Sequence, residues 1–404
     1  MLLRCSPQKA ENERCSLTIL SSWRTIMKMH WLVILCIGLT ATAVAQECNE
    51  CAHTHPSPVG HMGIPNSVKA LYMTSCVAAT PRLRNRIVAL ADDTEINALV
   101  IDIKDYSGTI TFRSDNPALM QRSVSGCVAS DLKEFIEFLH QKDIYVIGRI
   151  TVFQDTHYAK VHPELTVKKA SDRAAPWKDY KDIQYIDVGA SNFWEYIVTL
   201  SRESYAIGFD ELNFDYVRFH SDGNIKDTHY PFSGKKIAAD PAYGKATVLR
   251  DFFAYLAEHV RDLRVPLSVD LFGMTTTNSD DLNIGQILEY AEPYFDYIAP
   301  MVYPSHYPRT FHGYDNPNHY PYGVVHYSMR TAAARLAKIP APSTKLRPWL
   351  QNFNYGGIYA AKEVRAQIRA VYDAGLTSWM LWDPSNVYTR DALERIKIPA
   401  SGGL

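Results

Sequence analysis

The chain has 404 residues, 42 Lys and Arg against 43 Asp and Glu, and an apolar fraction of 47%. That length builds one large or two ordinary domains with a full core. A formal net charge of −1 leaves no electrostatic footprint for nucleic acid or an anionic membrane surface. Aromatic residues make up 12%, which suits a cleft whose rings stack on sugars and suits a large core equally well.

The amino terminus reads as an export signal. In "MKMHWLVILCIGLTATAVAQ" a Lys beside Met27 precedes an apolar run from Trp31 to Leu39, and Ala43-Val44-Ala45 closes it with a small-x-small cleavage signature. The run is too short to span a bilayer comfortably. We expect cleavage after Ala45, residues 1–45 being an upstream extension plus signal peptide, and a periplasmic, cell-surface or extracellular product. Lipidation of Cys36 or Cys48 is the alternative. "CNECAHTHPSPVGH" holds Cys48, Cys51, His53, His55 and His61, metal-ligand types without a second Cys pair at finger spacing. It reads as a disordered leader over 46–64.

From residue 65 short apolar runs alternate with helical patterns. Strands are predicted over 68–77, 96–105, 144–153, 209–218, 265–273, 295–303, 346–354 and 377–383. The intervening helices include "PRLRNRIVALADD", "DLKEFIEFLHQK" and "LNIGQILEYAEP". Eight βα repeats without a composition break require parallel strands covered by helices. An open doubly wound sheet would carry a phosphate-binding glycine loop after its first strand, whereas this chain has "TSCVAATP". The reading is a single (β/α)8 TIM barrel over 65–395 with long βα loops, followed by a disordered tail over 396–404. Cys76 and Cys127 follow neighbouring strands and form a plausible disulfide in an exported protein.

The fourth strand, "GFDELNFDYVRF", carries the chemistry. Leu212, Phe214 and Tyr216 share one face, and Glu211, Asn213 and Asp215 the other. A strand buried on both faces ordinarily reads as continuous Val, Ile and Leu. In a TIM barrel the polar exceptions late in strands, facing the lumen, are the candidates for catalysis. Asp215 and Asp270, on adjacent strands at matching heights, are the catalytic pair. Asp102, Asp105, Arg218, Tyr303, His306, Gln351, Trp382, Asp383 and Trp177 are candidates for substrate binding, Asp102, Asp105 and Asp383 also as reserve acids. Arg218 is expected to hold Asp215 ionised through a charge-assisted hydrogen bond, and Trp177, in the insertion "RAAPWKDYKD", to stack on a sugar. Glu211 is read as a structural carboxylate paired with Arg149, because a buried charge needs a partner.

Four ordered motifs, "VIDIKDYSGTITF", "GFDELNFDYVRF", "YIAPMVYPSHY" and "WMLWDPSNVY", resemble a glycoside-hydrolase-like domain family long catalogued as a domain of unknown function. The likeness runs from Ile64 to about Tyr388 and implies a TIM-barrel glycosidase-like fold. More distantly, the fourth strand is similar to the chitinase-type pattern Asp-x-x-Asp-x-Asp-x-Glu. Asp210, Asn213 and Asp215 fall on its aspartates, but Val217 stands where the acid belongs, which argues against that mechanism. In amylase-type barrels the nucleophile ends the fourth strand and the acid the fifth. Asp215 and Asp270 match those places, with Asp where Glu is usual.

The functional expectation is an exported glycoside hydrolase acting on a polysaccharide or cell-envelope glycan. One carboxylic acid protonates the leaving oxygen and a second carboxylate attacks or activates water, with no cofactor and no metal required. The partner is a carbohydrate substrate; no nucleic acid and no membrane span in the mature chain are expected, and the oligomeric state is open. The rivals are a catalytically inactive glycan-binding barrel, and a metal-assisted hydrolase or deacetylase using His306 with loop carboxylates.

Overall fold

The computed structural model describes residues 60–120, 126–339, 342 and 345–395. The expected signal peptide, the cluster from Cys48 to His55 and the tail over 396–404 lie outside them. Eight parallel strands close into a barrel: β1 (Lys69–Met73), β2 (Ala98–Lys104), β3 (Tyr145–Thr151), β4 (Glu211–Asp215), β5 (Leu267–Phe272), β6 (Tyr297–Met301), β7 (Trp349–Gln351) and β8 (Trp379–Trp382). Neighbours in sequence are neighbours around the barrel, and β8 pairs with β1. Every predicted strand contains the observed one.

The alternation in each strand sorts its side chains. Outward-facing Leu71, Leu99, Ile101, Val146, Leu212, Phe214, Val269 and Leu350 pack against the helices in one large core. The helices present matching stripes: Leu132–His140 buries Leu132, Phe135, Ile136 and Leu139, and Ala361–Asp373 buries Val364, Gln367, Ile368 and Val371. These i, i+3, i+4, i+7 spacings place one apolar stripe toward the sheet. Gln367 adds a polar anchor: its side-chain amide donates to the Gln351 carbonyl (2.8 Å) and accepts from the Gln351 N–H (2.9 Å).

Inside the barrel the halves differ. Val68, Ala70, Tyr72, Ala98, Val100, Tyr145, Ile147, Trp349 and Met380 form an apolar and aromatic packing. The opposite side, from β3 to β5, contributes Arg149, Thr151, Glu211, Asn213, Asp215, Ser268 and Asp270, all buried. Low in the lumen, Glu211 meets Arg347, which precedes β7. Arg347 Nη1 donates to Oε1 at 2.8 Å and Oε2 at 3.0 Å, and both side chains are sealed from solvent. This corrects the expected Glu211–Arg149 pair. In the parallel register Glu211 lies beside Ile147 while Arg149 lies beside Asn213, so Arg149 belongs one layer higher. Removing one partner of such a pair leaves an uncompensated charge. Arg347→Met is therefore expected to cost about 3–5 kcal/mol of unfolding free energy, and Glu211→Gln/Arg347→Met to recover most of it, as read by urea denaturation.

The leader expected to be disordered through residue 64 is placed from Gly60 onward. The Met62 N–H donates to Asp210 Oδ1 (2.7 Å), Met62 packs against the apolar lumen, and the His61 ring stacks on Tyr205. The helix expected over "LNIGQILEYAEP" shrinks to Leu288–Ala291. Leu282, Asn283 and Gly285 all take positive φ, which a helix cannot contain. Cys76 and Cys127 form the expected disulfide, with Cα atoms 4.7 Å apart. No helix among the described residues is long and apolar enough to cross a membrane.

Candidate active site

At the carboxyl ends of the strands the upper lumen opens into a cleft with two adjoining lobes. The inner lobe, about 530 Å³, reaches down to Arg149, Asp215 and Asp270 and is walled by Phe272, Met301, Trp349, Lys181 and Arg218. The outer lobe, about 1000 Å³, is walled by Phe353, Tyr355, Tyr359, Asn352, Asn354 and Asp383. Tyr303, His306 and Trp382 line both.

One guanidinium organises the floor of the inner lobe. Arg149 Nη1 donates to Asp102 Oδ1 at 2.6 Å, Nη2 donates to Asp215 Oδ2, and Nε lies 3.9 Å from Asp270 Oδ2. Tyr72 OH donates to the other oxygen of Asp102 at 2.5 Å, and the Tyr72 ring stacks on Trp382 with centroids 3.8 Å apart. Trp382 in turn presents its face to the guanidinium, 5.0 Å from its centroid. The carboxylates around Arg149 push its pKa well above the ordinary value against the opposing effect of burial, so it stays cationic.

Asp215 and Asp270 share this floor but not their surroundings. Asp215 takes the cationic donor and also accepts from the Tyr216 N–H (2.5 Å). Tyr216 has φ of 51°, in the left-handed region that a bulky residue rarely occupies, so the strand turns sharply just after the carboxylate. Asp270 is 1% exposed. Its Oδ1 accepts from Asn213 Nδ2 (2.9 Å) and Trp349 Nε1 (2.8 Å), while its Oδ2 has no hydrogen-bond partner among the described residues. Burial, with the negative charge of Asp215 added to it, raises the Asp270 pKa well above the usual carboxylate range. The bonding pattern agrees with that direction: both donors address Oδ1, and Oδ2 faces no donor within hydrogen-bond distance that would favour a charged carboxylate.

The remaining predicted site residues separate into two groups. Tyr303, His306, Trp382 and Asp383 line the cleft. Burial lowers the His306 pKa, leaving a neutral imidazole whose Nδ1 pairs with Ser305 Oγ at 2.8 Å. Asp102 sits beneath, bound to Tyr72 and Arg149. The others are held elsewhere. Asp105 Oδ1 accepts from the Ser107 N–H (2.9 Å) and hydroxyl (2.5 Å), closing its own turn. Gln351 accepts from the Ser305 N–H (3.1 Å) and donates to the Phe353 carbonyl (2.9 Å), tying two rim loops together. Trp177 is 2% exposed, stacks on His220 and donates to the Asn224 carbonyl (2.9 Å), so it forms the interior of the loop layer rather than a sugar platform. Arg218 does not reach Asp215: its Nη1 donates to the Phe219 carbonyl (3.1 Å) and Ser221 Oγ (3.2 Å). Arg149 takes that place.

Sequence reasoning missed Trp349, Phe272 and Phe353 as cleft residues, and Tyr72 as the residue beneath the cleft that binds Asp102 and supports Trp382. Tyr72 and Trp349 had a readable signal, each an aromatic with lumen-side parity in its strand. Gly273, just after β5, lets the chain approach β6: a side chain there would strike the Met301 carbonyl and the Tyr307 hydroxyl. Among the described residues no group of three or more His, Cys, Asp or Glu side chains is arranged to hold a metal ion.

The family described as "Putative glycosyl hydrolase domain" matches residues 70–388 of the chain. No curated protein matches it in sequence. A hypothetical protein from Ruminiclostridium thermocellum ATCC 27405 shares 31% identity over 50% of this chain and 96% of its own, with a TM-score of 0.41. The PgaB (BpsB) glycoside hydrolase domain from Bordetella bronchiseptica overlaps 82% of this chain and 99% of its own at 15% identity and a TM-score of 0.55. Alpha-L-fucosidase isoenzyme 2 from Paenibacillus thiaminolyticus overlaps 81% of this chain and 48% of its own at 12% identity and a TM-score of 0.56. At these identities the last two likenesses speak to the barrel fold alone, and the chain spans about half the length of the fucosidase.

Proposed function

Because the chain belongs to this glycosyl hydrolase domain family, we propose that it is an exported glycoside hydrolase cleaving glycosidic bonds in a polysaccharide or cell-envelope glycan, with Asp270 as acid and Asp215 as nucleophile or base. The observation that carries this reading is the division of labour on the cleft floor. Asp215 is paired with a cation, whereas Asp270 is buried with a raised pKa and an unpartnered Oδ2. Two carboxyl groups with environments this different supply the acid and the base that the reaction needs. Asp270 gives its proton to the glycosidic oxygen as the bond to the anomeric carbon breaks. Asp215 either bonds to that carbon, or takes a proton from the water that attacks it. Arg149 stays charged throughout and holds Asp215 in place. Tyr303, His306 and Trp382 present flat, largely uncharged surfaces suited to the apolar faces of pyranose rings.

Export is supported by the amino-terminal signal pattern together with the Cys76–Cys127 disulfide, a bond that persists in oxidising compartments. The test of the whole reading is reducing-end release from a panel of bacterial and plant polysaccharides, wild type beside Asp215→Asn. We expect release by the wild type and a loss of roughly 10²-fold or more in the variant. Glycan binding with no release from any substrate would instead identify an inactive binding barrel.

A further inference from the structure

The inner lobe contains a second guanidinium that the proposed chemistry does not use. Arg218 lines this lobe yet is only 6% exposed. Its guanidinium carbon lies over two aromatic rings, 5.0 Å from the Tyr216 centroid and 4.9 Å from that of Phe272. Among the described residues only Nη1 is hydrogen bonded, to the Phe219 carbonyl and Ser221 Oγ, and Arg218 forms no salt bridge. A buried arginine ordinarily has a carboxylate opposite it. Lys181 lines the same lobe, from the loop before the helix Ser191–Ala206, and is exposed.

The charge balance of the lobe sharpens the point. Arg149 is answered by Asp102 and Asp215. What remains is Arg218 and Lys181 against Asp222, whose Oδ2 accepts from Ser221 Oγ at 3.3 Å. Among the described residues neither Arg218 nor Lys181 forms a salt bridge, so the lobe holds two cations without a carboxylate in contact, whereas the residues lining the outer lobe include no Lys or Arg and one carboxylate, Asp383.

From the guanidinium of Arg218, packed over two rings without a salt bridge and lining the inner lobe together with Lys181, we infer that the site selects an acidic glycan, one that places the carboxylate of a uronic acid residue in this lobe next to the bond to be cleaved. The Nε–Nη2 edge of a guanidinium offers two parallel N–H donors that match a planar carboxylate, and the bonds of Nη1 together with the two neighbouring rings restrain that edge before substrate arrives. Lys181 adds an untethered point charge at the rim. The inference rests on the glycoside hydrolase reading for the position of the cleaved bond, but the binding preference is measurable without turnover.

The experiment is calorimetric titration of the full chain with oligogalacturonate, oligoglucuronate and oligomannuronate, each beside its carboxyl-reduced neutral counterpart. The expected result is at least tenfold tighter binding of one acidic oligomer than of its reduced form, a preference that shrinks at high salt. Arg218→Gln should abolish the preference, bringing the acidic oligomer down to the affinity that the same variant shows for the reduced form. Arg218→Lys, which keeps the charge but loses the fork, should retain only part of it, and Lys181→Ala, at an exposed position that does not threaten folding, should reduce it by about two- to fivefold. Equal affinity for acidic and reduced oligomers, binding of neither, or a full preference surviving in Arg218→Gln would overturn the inference. Reducing-end release measured on the same oligomers separates the two ideas: preferential binding without release sinks the hydrolase reading and leaves the acidic-glycan selectivity standing.

Discussion

Asp270→Asn is expected to lower kcat by roughly 10²–10⁴-fold while raising the thermal stability of the protein at neutral pH. The two effects have one cause. Asp270 is buried beside Asp215, and both conditions disfavour its ionised form, so its folded pKa lies above its unfolded value. For a carboxyl shifted in this direction the native state binds the proton more tightly than the unfolded chain. Its contribution is therefore neutral below about pH 4 and becomes a growing cost as pH rises from there through the folded pKa. Asparagine removes that cost and keeps the accepting oxygen that Asn213 and Trp349 address. A Tm increase of about 2–4 °C at pH 7, vanishing toward pH 4, is the expected size for a change near 1 kcal/mol. On the kinetic side, the alkaline limb of the pH–rate profile should disappear. The loss should also be much smaller on an aryl glycoside whose leaving group needs no proton. A variant equally slow on both substrates would remove Asp270 from the acid role.

Most of the fold was readable because the features that define a barrel are local. Each strand declared itself by an apolar run bounded by turn residues, and β4 declared its lumen face because Glu211, Asn213 and Asp215 alternate with Leu212 and Phe214. Partnerships were less readable, since they depend on register and closure. Glu211 and Arg347 are 136 positions apart and meet only across the closed lumen. Arg149 was recognisable as a lumen-facing cation, but its layer depends on the β3–β4 register, which places it opposite Asn213. The misplacement of Trp177 has a different origin. A polar insertion reads as surface, yet this one is bridged to the 220–236 loop by the antiparallel strands Lys168–Lys169 and Thr228–His229. The paired loops bury Trp177 with Tyr185 and His220. The clue lay in the aromatic density of two loops that seemed unrelated.

The catalytic assignment stands or falls with Arg149, and its replacement is expected to have the largest structural effect of any single change in the cleft. Arg149→Met leaves Asp102 and Asp215 buried without their cation and Asp270 without the guanidinium 3.9 Å away. Breaking a buried ion pair from one side costs about 3–5 kcal/mol, enough to unfold a marginal domain, so loss of activity in this variant alone would be uninformative. Arg149→Lys separates the roles. Its ammonium preserves the charge but is a single point on a flexible stem, without the planar fork that joins Asp102 to Asp215. It should fold, bind glycan and turn over at least tenfold more slowly. The pH dependence gives the sharper readout. Burial and Asp215 drive the Asp270 pKa up, and the Arg149 cation opposes that shift. Weakening that opposition moves the alkaline limb of the rate profile to higher pH, by up to about 1–3 pH units for full removal of a close charge. Pairing Arg149→Met with Asp102→Asn should restore part of the stability, because one buried carboxylate is then neutral, but none of the turnover, because Asp215 still lacks its donor. If instead the double variant regains activity along with stability, Arg149 serves only the fold, and the orientation of Asp215 must come from its own backbone turn at Tyr216.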